Sequence, residues 1–233
     1  MTITIYDELE QGTPEWHAAR CGILTASEMD LIITKTLKQA SNAKEKTHLY
    51  ELMAQRITQH VEPQYISDTM LRGHEDEIEA RNIYSENIAP VLEVGFITRD
   101  FGDVTIGYSP DGLVGPHGLI EVKSRMQKHQ AQTIAVHAFN GTAPDDYFLQ
   151  MQTGMLVSGR KWCDFISYCS GMPMTVIRYN ADIEIQTAIL NAARAFEKRL
   201  TDAMANYKAV VDSELDFRTF PTERRDSVME IFR

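Results

Sequence analysis

The stretch GYSPDGLVGPHGLIEVKSR, residues 107–125, places charged side chains inside two apolar runs that otherwise predict a buried β-hairpin. Alternate residues of a strand share a face, so Glu121 and Lys123 are predicted on one side of the second strand. Pro110 fixes the preceding turn and is expected to bring Asp111 close to Glu121. Because an unpaired buried acid is costly, a purely structural role does not account for both carboxylates.

Two carboxylates and a lysine in this arrangement suit a metal-dependent hydrolase. Asp111, Glu121 and the backbone carbonyl of Val122 are hard oxygen ligands of the kind that Mg²⁺ prefers. Lys123 beside a metal can orient or deprotonate a water, or offset charge on a phosphoryl group. The alternative is a pair of surface acids and a lysine at a hairpin edge. Only Lys123, among the nine lysines of the chain, has an acid two residues before it, which favours the site.

Length and composition predict one soluble domain. The chain has 233 residues, of which 43% are hydrophobic and 24% charged, as in ordinary globular proteins. No apolar run approaches the roughly 20 residues of a membrane span, and no secretion signal is recognisable. Cys21, Cys163 and Cys169 form no C-x-x-C pair, which favours a reduced compartment. We therefore expect a cytoplasmic protein without a membrane partner.

Hydrophobic periodicity and turn signals predict an α/β fold with helices around a mixed sheet. The single domain, 1–233, is divided into N-terminal helices (13–89), a catalytic sheet with helices (90–180), and a C-terminal helix and tail (181–233). Helices are predicted as two short segments within 13–34 and over 43–60, 67–89, 126–138, 145–158 and 181–210. Strands are predicted over 91–98, 103–109, 111–115, 118–124, 162–169 and 174–179.

The net charge of -10 restricts any role with nucleic acid. Proteins that coat nucleic acid non-specifically usually carry a basic excess, because neutralisation of phosphates supplies the affinity. A nucleic-acid enzyme of this charge needs a local basic site, a bound metal, or a way to hold the polymer without global attraction.

Five segments, in their order and spacing, resemble the phage lambda exonuclease family, the YqaJ-type viral recombinases of the PD-(D/E)xK nuclease superfamily. The segments, which lie between residues 11 and 180, are EWHAARCGILTASE, RGHEDEIEAR, IGYSPDGLV, LIEVKS and YFLQMQTGMLVSGRKWCDFISY. The resemblance implies a restriction-endonuclease-like core with a mixed central sheet flanked by helices. It also implies a Mg²⁺-dependent exonuclease that removes 5′-mononucleotides from one strand of linear double-stranded DNA and leaves 3′ overhangs for homologous recombination.

The resemblance also implies roles for individual residues. It makes Lys123 the catalytic lysine and makes Asp111, Glu121 and the Val122 carbonyl ligands of the metal. Glu77, in GHEDE, matches a catalytic helix acid near a second metal. The alternative for Glu77 is an ordinary solvated acidic face, shared with Glu75, Asp76 and Glu79.

A catalytic glutamine is implied in the segment YFLQMQ. Gln150 matches the position that the family places after the crossover helix. Gln152 lies on another side of the same predicted helix, and an amide that lines the core is its fair alternative.

The segment EWHAARCGILTASE is predicted to bind a terminal 5′-phosphate. Trp16 and Arg20 are four residues apart and share a helix face. Ser27 lies in the first turn of a helix opened by Thr25, where free N–H groups favour an anion. Arg20, Ser27 and Ser109 are therefore expected to hold the phosphate, with Trp16 stacking on or wedging a base. The alternative is a core tryptophan and a surface arginine.

The negative charge and the long overhangs together favour a ring around the DNA, because a closed ring retains duplex by topology. The resemblance implies a homotrimer, two Mg²⁺ per site with Mn²⁺ able to substitute, a single-strand annealing recombinase as partner, and a phage or prophage origin in a bacterial host cytoplasm. Two alternatives remain open. One is a structure-specific endonuclease or junction resolvase of the same fold, and the other is a non-catalytic DNA-binding recombination scaffold.

Overall fold

The computed structural model describes residues 2–62, 67–212 and 218–224. The helices are α1 (Pro14–Arg20), α2 (Met29–Ile32), α3 (Ala43–Thr58), α4 (Asp68–Asn87), α5 (Gln127–Gln132), α6 (Phe148–Ser158) and α7 (Ile183–Val211). The strands are β1 (Thr2–Tyr6), β2 (Leu24–Thr25), β3 (Val91–Leu92), β4 (Phe96–Asp100), β5 (Thr105–Tyr108), β6 (Gly112–Val114), β7 (Gly118–Ser124), β8 (Trp162–Tyr168) and β9 (Thr175–Asn180). A 3₁₀ turn, Ala26–Glu28, precedes α2, and a π-helical segment, Thr133–Ala138, continues α5.

The strands form two mixed sheets rather than one. The first has the order β1-β4-β5-β2 and the second β3-β6-β7-β8-β9. β2 runs parallel to β5, and β7 runs parallel to β8, whereas the other pairs are antiparallel. The predicted α/β class with mixed strand directions is therefore confirmed, and most predicted helices and strands lie within a few residues of their predicted bounds.

One strand prediction needs correction, and one strand was missed. The run 91–98 was predicted as one strand, but β3 and β4 belong to different sheets. The extended segment is interrupted near Gly95, where an added Cβ would lie 1.9 Å from the backbone oxygen of Leu9. Such a close approach of two backbones requires glycine. β1, which pairs with β4, was not predicted.

The second sheet separates two hydrophobic clusters. On one side, Ala80 and Tyr84 of α4 pack against Ile120, Val122 and Ile166. On the other side lies a larger cluster shared by both sheets and by α2, α3, α6 and α7. β7 therefore presents alternate residues to two different environments, as its sequence predicts.

A buried polar contact fixes α4 on this sheet. Tyr84 Oη donates to Asp164 Oδ2 at 2.6 Å, and Arg178 donates to both oxygens of Asp164 at 2.7 and 2.8 Å. Tyr84 and Asp164 are both buried, so breaking this hydrogen bond would leave polar groups without a partner in the interior. It locks the helix that carries Glu77.

Among the helices of the described ranges, none is both long enough and apolar enough to cross a membrane. The division into one domain remains a prediction, and most of the predicted tail lies outside the described residues.

Candidate active site

The turn between β5 and β6 and the end of β7 bring two acids and a lysine together. Asp111 Oδ2 accepts a hydrogen bond from the Val122 N–H at 2.6 Å. Lys123 Nζ lies 2.7 Å from Glu121 Oε1. The Glu121 side chain is fully buried, whereas the Lys123 side chain is 24% exposed. Lys123 is therefore on the solvent side of the cluster.

The Val122 carbonyl lies at the open edge of β7. Pairing of β6 with β7 extends only as far as Gly112 opposite Ile120. The N–H and C=O of a strand residue point to the same edge, and the Val122 N–H points to Asp111. The carbonyl therefore shares an edge with the Asp111 carboxylate.

The acids of the cluster repel one another. Burial raises the pKa of Asp111 well above its ordinary value, and the negative charges of Glu121 and Glu77 raise it further. Burial also raises the pKa of Glu77, against the opposing effect of Arg81. Burial by itself would lower the pKa of Lys123, but Glu121 and Asp111 outweigh burial and raise it. One lysine thus balances several crowded carboxylates.

These residues fit a hard divalent cation. Glu121 Oε1 is buried, and apart from its ion pair with Lys123 Nζ at 2.7 Å it has no hydrogen-bond partner among the described residues. Within those residues, no three His, Cys, Asp or Glu side chains are already arranged as a metal site. Mg²⁺ commonly binds through one or two carboxylates and completes its shell with water and phosphate. Asp111, Glu121 and the Val122 carbonyl match that donor set.

Glu77 lies beside this cluster rather than on a solvated face. Its side chain is 23% exposed and accepts from Arg81 Nη2 at 3.0 Å. Arg81 also pairs with Glu93. Glu75 and Glu79, on the same helix, are exposed. Asp76 is also largely buried, at 13% exposure, and accepts a hydrogen bond from Ser124 Oγ. The environment of Glu77 therefore differs from that of Glu75 and Glu79, but not from that of Asp76 in burial.

Gln150 lies on the face of α6 that points towards the cluster. Gly154, four residues later, faces the ring of Tyr108, whose Oη is 3.4 Å from Glu121 Oε2. Gln150 shares that helix face and is half-buried. Gln152 is buried, and its amide bonds the backbone between β9 and α7. The alternative of a core-lining amide is thus correct for Gln152.

The four residues predicted to hold a 5′-phosphate are brought together. Arg20 Nη1 and Trp16 Nε1 both donate to Ser109 Oγ, at 3.0 and 3.1 Å. The Arg20 guanidinium carbon lies 4.2 Å from the centroid of the Trp16 ring. Arg20 Nη2 is 3.4 Å from Thr25 Oγ1, which is 3.2 Å from Ser27 Oγ. The result is a row of hydroxyls around one guanidinium.

Arg20 has the character of an anion-binding group. Within the described residues its guanidinium donates to hydroxyls and not to a carboxylate. Burial lowers its pKa, and the charge of Glu28 partly opposes that effect. A partly desolvated cation bonded only to neutral groups favours a bound anion.

Thr25 forms the predicted capping box, but the helical segment that it opens is short, and the contribution of its N-terminus to this pocket remains a prediction. Ala26–Glu28 is a single 3₁₀ turn, and α2 has only four residues, which is too short for a substantial dipole. The Thr25 N–H already donates to Glu28 Oε2 at 3.1 Å. Arg20 and the hydroxyls are the groups that the structure brings together at this pocket.

Sequence reasoning missed two tyrosines that complete the site. Tyr108 lies between Glu121 and Gly154. Tyr147 places its ring centroid 5.2 Å from Lys123 Nζ and stacks on Phe165 at 5.4 Å. Both tyrosines lie inside segments that carry the family resemblance, and that position was the available signal.

The mixed sheets, their flanking helices and the arrangement of Asp111, Glu121 and Lys123 are those of a PD-(D/E)xK fold. The family described as YqaJ-like viral recombinase domain matches residues 15–161. The chain belongs to that family, so the resemblance seen in the sequence is confirmed.

Solved structures support the same relationship. The chain is similar to an alkaline exonuclease, LHK-Exo, from Laribacter hongkongensis, with 33% identity, a TM-score of 0.76, and coverage of 87% of this chain and 100% of that one. LHK-Exo in complex with dAMP matches with 33% identity, a TM-score of 0.75 and the same coverage. A phage-related exonuclease from Haemophilus somnus 129PT shares the fold at 14% identity, with a TM-score of 0.54 and coverage of 78% and 96%. A comparison with curated proteins found no match.

Proposed function

We propose that the protein is a Mg²⁺-dependent 5′-to-3′ exonuclease that degrades one strand of linear double-stranded DNA, releases 5′-mononucleotides and leaves 3′ single-stranded overhangs for homologous recombination. Family membership and the likeness to LHK-Exo support a nuclease associated with recombination. The LHK-Exo structure in complex with dAMP, a 5′-mononucleotide, supports the proposed product.

The observation that carries the proposal is the position of the Arg20 pocket beside the carboxylate cluster. Ser109, which bonds Arg20, is two residues before Asp111. Two residues of extended chain span at most about 7 Å, comparable with one nucleotide step. A terminal phosphate held by Arg20 therefore puts the next phosphodiester near Asp111, Glu121 and Lys123. An enzyme that cuts internally has no need of this pocket.

Each residue then has a defined task. Arg20 and the hydroxyls of Ser27 and Ser109 bind the terminal phosphate, and Trp16 packs against Arg20 and the terminal base. Lys123, held by Glu121, offsets negative charge on the scissile phosphate or orients the attacking water.

Gln150 is assigned to position that water or a phosphate oxygen, since it lies on the helix face towards the cluster.

The metal is assigned to Asp111, Glu121 and the Val122 carbonyl, with Glu77 directed to a second ion. When bound, Mg²⁺ would supply Lewis-acid stabilisation of the charge that develops on the scissile phosphate. Mn²⁺, which also accepts oxygen ligands in octahedral geometry, is expected to substitute.

The assembly and the cellular setting are part of the proposal. A net charge of -10 gives a monomer little non-specific hold on DNA. A homotrimeric ring would retain linear duplex by topology while it removes many nucleotides. The overhang would be passed to a single-strand annealing recombinase in the cytoplasm of a bacterial host, consistent with a phage or prophage origin.

The test uses linear duplex carrying either a 5′-phosphate or a 5′-hydroxyl, end-labelled on either strand, together with a closed circular duplex. The 5′-phosphorylated linear duplex should be degraded fastest, from its 5′ ends, and only with Mg²⁺ or Mn²⁺ present. Arg20→Ala should reduce the preference for the phosphate, because alanine cannot hold it bidentately. Arg194→Ala serves as the control and should keep the preference, because Arg194 lies on α7 and pairs with Asp103.

Each alternative function predicts a different result. Cleavage of the closed circle would indicate an endonuclease or junction resolvase. Binding of duplex without any Mg²⁺-dependent loss would indicate a non-catalytic scaffold. A full phosphate preference in Arg20→Ala would show that Arg20 is structural and that the pocket assignment is wrong.

A further inference from the structure

Arg125 extends the active face of β7 by one further side chain. β7 ends at Ser124, but the Arg125 N–H donates to the Tyr168 backbone oxygen at 2.7 Å, which continues the pairing with β8. Side chains alternate along a paired strand, so Glu121, Lys123 and Arg125 share a face. Arg125 is therefore the next side chain after the lysine in the cluster.

The Arg125 guanidinium has donor capacity that the described residues leave unused. Its Nε is buried and has no hydrogen-bond acceptor among them. One of its terminal nitrogens donates to the Tyr147 hydroxyl, and its guanidinium carbon lies 5.4 Å from the Tyr147 ring centroid. A neutral phenol does not compensate a positive charge. Arg99 Nε is also unsatisfied, but it lies in the other sheet.

Tyr147 holds Arg125 in a fixed position relative to Lys123. Its ring stacks on the buried ring of Phe165 at an interplanar angle of 22°. The same ring lies 5.2 Å from Lys123 Nζ and 5.4 Å from the Arg125 guanidinium carbon. The two cations therefore border one anchored aromatic surface.

A pocket of about 540 Å³ opens beside this surface, lined in part by Lys35, Arg125, His129, His137 and Tyr147. Its size is in the range of small-ligand sites.

Two acids also line the pocket, Asp145 and Asp146. Asp146 is already paired with Lys35 at 2.5 Å, and both of these side chains are exposed. Of the lysine and the arginine that line this pocket, Arg125 is the one that forms no salt bridge within the described residues.

We infer that Arg125, positioned by Tyr147, binds the backbone phosphate on the 3′ side of the scissile bond in the strand being degraded. The inference rests on the proposed function, which places the 5′ end at Arg20. Ser109 precedes Asp111 by two residues, and Arg125 follows Lys123 by two residues. Each step spans at most about 7 Å, so Arg125 and Ser109, which bonds Arg20, each lie within about one nucleotide step of the cluster. In this arrangement Arg20 binds the degraded strand on the 5′ side of the scissile bond, and Arg125 binds it on the 3′ side.

The test measures binding of 5′-phosphorylated linear duplex over a series of NaCl concentrations, in the Lys123→Ala background so that the DNA stays intact. Adding Arg125→Gln should weaken binding about tenfold, the loss of one charge-assisted hydrogen bond. It should also reduce the slope of log affinity against log salt by about one, the loss of one phosphate contact. Lys208→Ala, which removes an exposed lysine on α7, should change neither quantity.

Two conservative variants separate binding from folding. Arg125→Lys keeps the charge, so its salt slope should stay near the parent value although its affinity falls. Tyr147→Phe keeps the ring but removes the hydroxyl acceptor, so its loss should be smaller than that of Arg125→Gln. Thermal unfolding of each variant shows whether the fold is intact.

The outcomes distinguish this inference from the proposed function. If wild-type protein degrades linear duplex but Arg125→Gln binds with the same affinity and salt slope as Lys208→Ala, the inference is overturned and the function stands. Arg125→Gln with Lys123 intact should keep the preference for a 5′-phosphate, because that preference belongs to Arg20. A further measurement is the inhibition of cleavage by added dAMP. If Arg125→Gln weakens that inhibition but leaves the affinity for DNA unchanged, the pocket holds the released nucleotide, and the strand assignment is wrong.

Discussion

Gly154→Ala and Gly73→Ala are the same substitution within two helices, and they are expected to change stability in opposite directions. Alanine has a better helix propensity than glycine by about 1 kcal/mol, which favours both variants. At Gly73 on α4 an added Cβ meets nothing within 4 Å. At Gly154 on α6 it would lie 2.7 to 2.9 Å from three atoms of the Tyr108 ring.

The buried Tyr108 ring determines whether Gly154→Ala raises or lowers the stability. Tyr108 is 1% exposed and belongs to the larger hydrophobic cluster, so we expect its ring to be held firmly by its neighbours. Overpacking of this kind costs about 1–3 kcal/mol, which exceeds the gain in helix propensity. We expect Gly154→Ala to lose about 1 kcal/mol and Gly73→Ala to gain up to about 1 kcal/mol. The difference corresponds to about 4–8 °C between their midpoints of thermal unfolding.

The assay is thermal unfolding at one fixed protein concentration, because self-association would make the midpoint depend on concentration. Cleavage is measured in parallel at a temperature where both variants are folded. Since Tyr108 Oη lies 3.4 Å from Glu121 Oε2, Gly154→Ala should also slow cleavage, whereas Gly73→Ala should not. Equal or higher midpoints for Gly154→Ala would refute the argument that the packing of Tyr108 is rigid.

Three further predictions concern the chemistry and the anchoring of α4. Lys123→Ala should lower the rate of cleavage about a hundredfold or more in single-turnover assays while leaving DNA binding near normal; substantial residual activity would put the chemistry elsewhere. Replacement of Mg²⁺ by Ca²⁺ should support binding but little turnover, because the larger ion relaxes the octahedral geometry; efficient cleavage with Ca²⁺ would contradict this. Tyr84→Phe removes a donor to the buried Asp164 and should lower stability by about 2 kcal/mol, or about 4–8 °C, whereas Tyr50→Phe, at a side chain that is 61% exposed, should be neutral.

The sequence was informative where local rules decide the structure. Alternation along β7 correctly predicted that Glu121 and Lys123 share a face, because burial on both sides of the sheet fixes the register. Thr13 Oγ1 caps α1 by accepting a hydrogen bond from the Trp16 N–H at 3.3 Å, as the Thr-Pro pair predicts.

Long-range contacts account for what was missed. The split of 91–98 depends on the passage of Leu9 beside Gly95, and no local pattern encodes that encounter. β1 gains its partner only from β4, some ninety residues later. Arg125 follows the predicted strand, and only the hydrogen bond from its N–H to the Tyr168 backbone oxygen shows that the alternation continues.

The hydrogen bond from the Val122 N–H to Asp111 has a practical consequence for the choice of an inactive reagent. Asp111 fastens the β5–β6 turn to β7, and it is also a proposed ligand of the metal. Asp111→Ala should therefore abolish metal binding and cleavage, but it would also release the turn that carries Ser109. An inactive protein for trapping DNA is better made at Lys123, whose removal leaves that fastening intact.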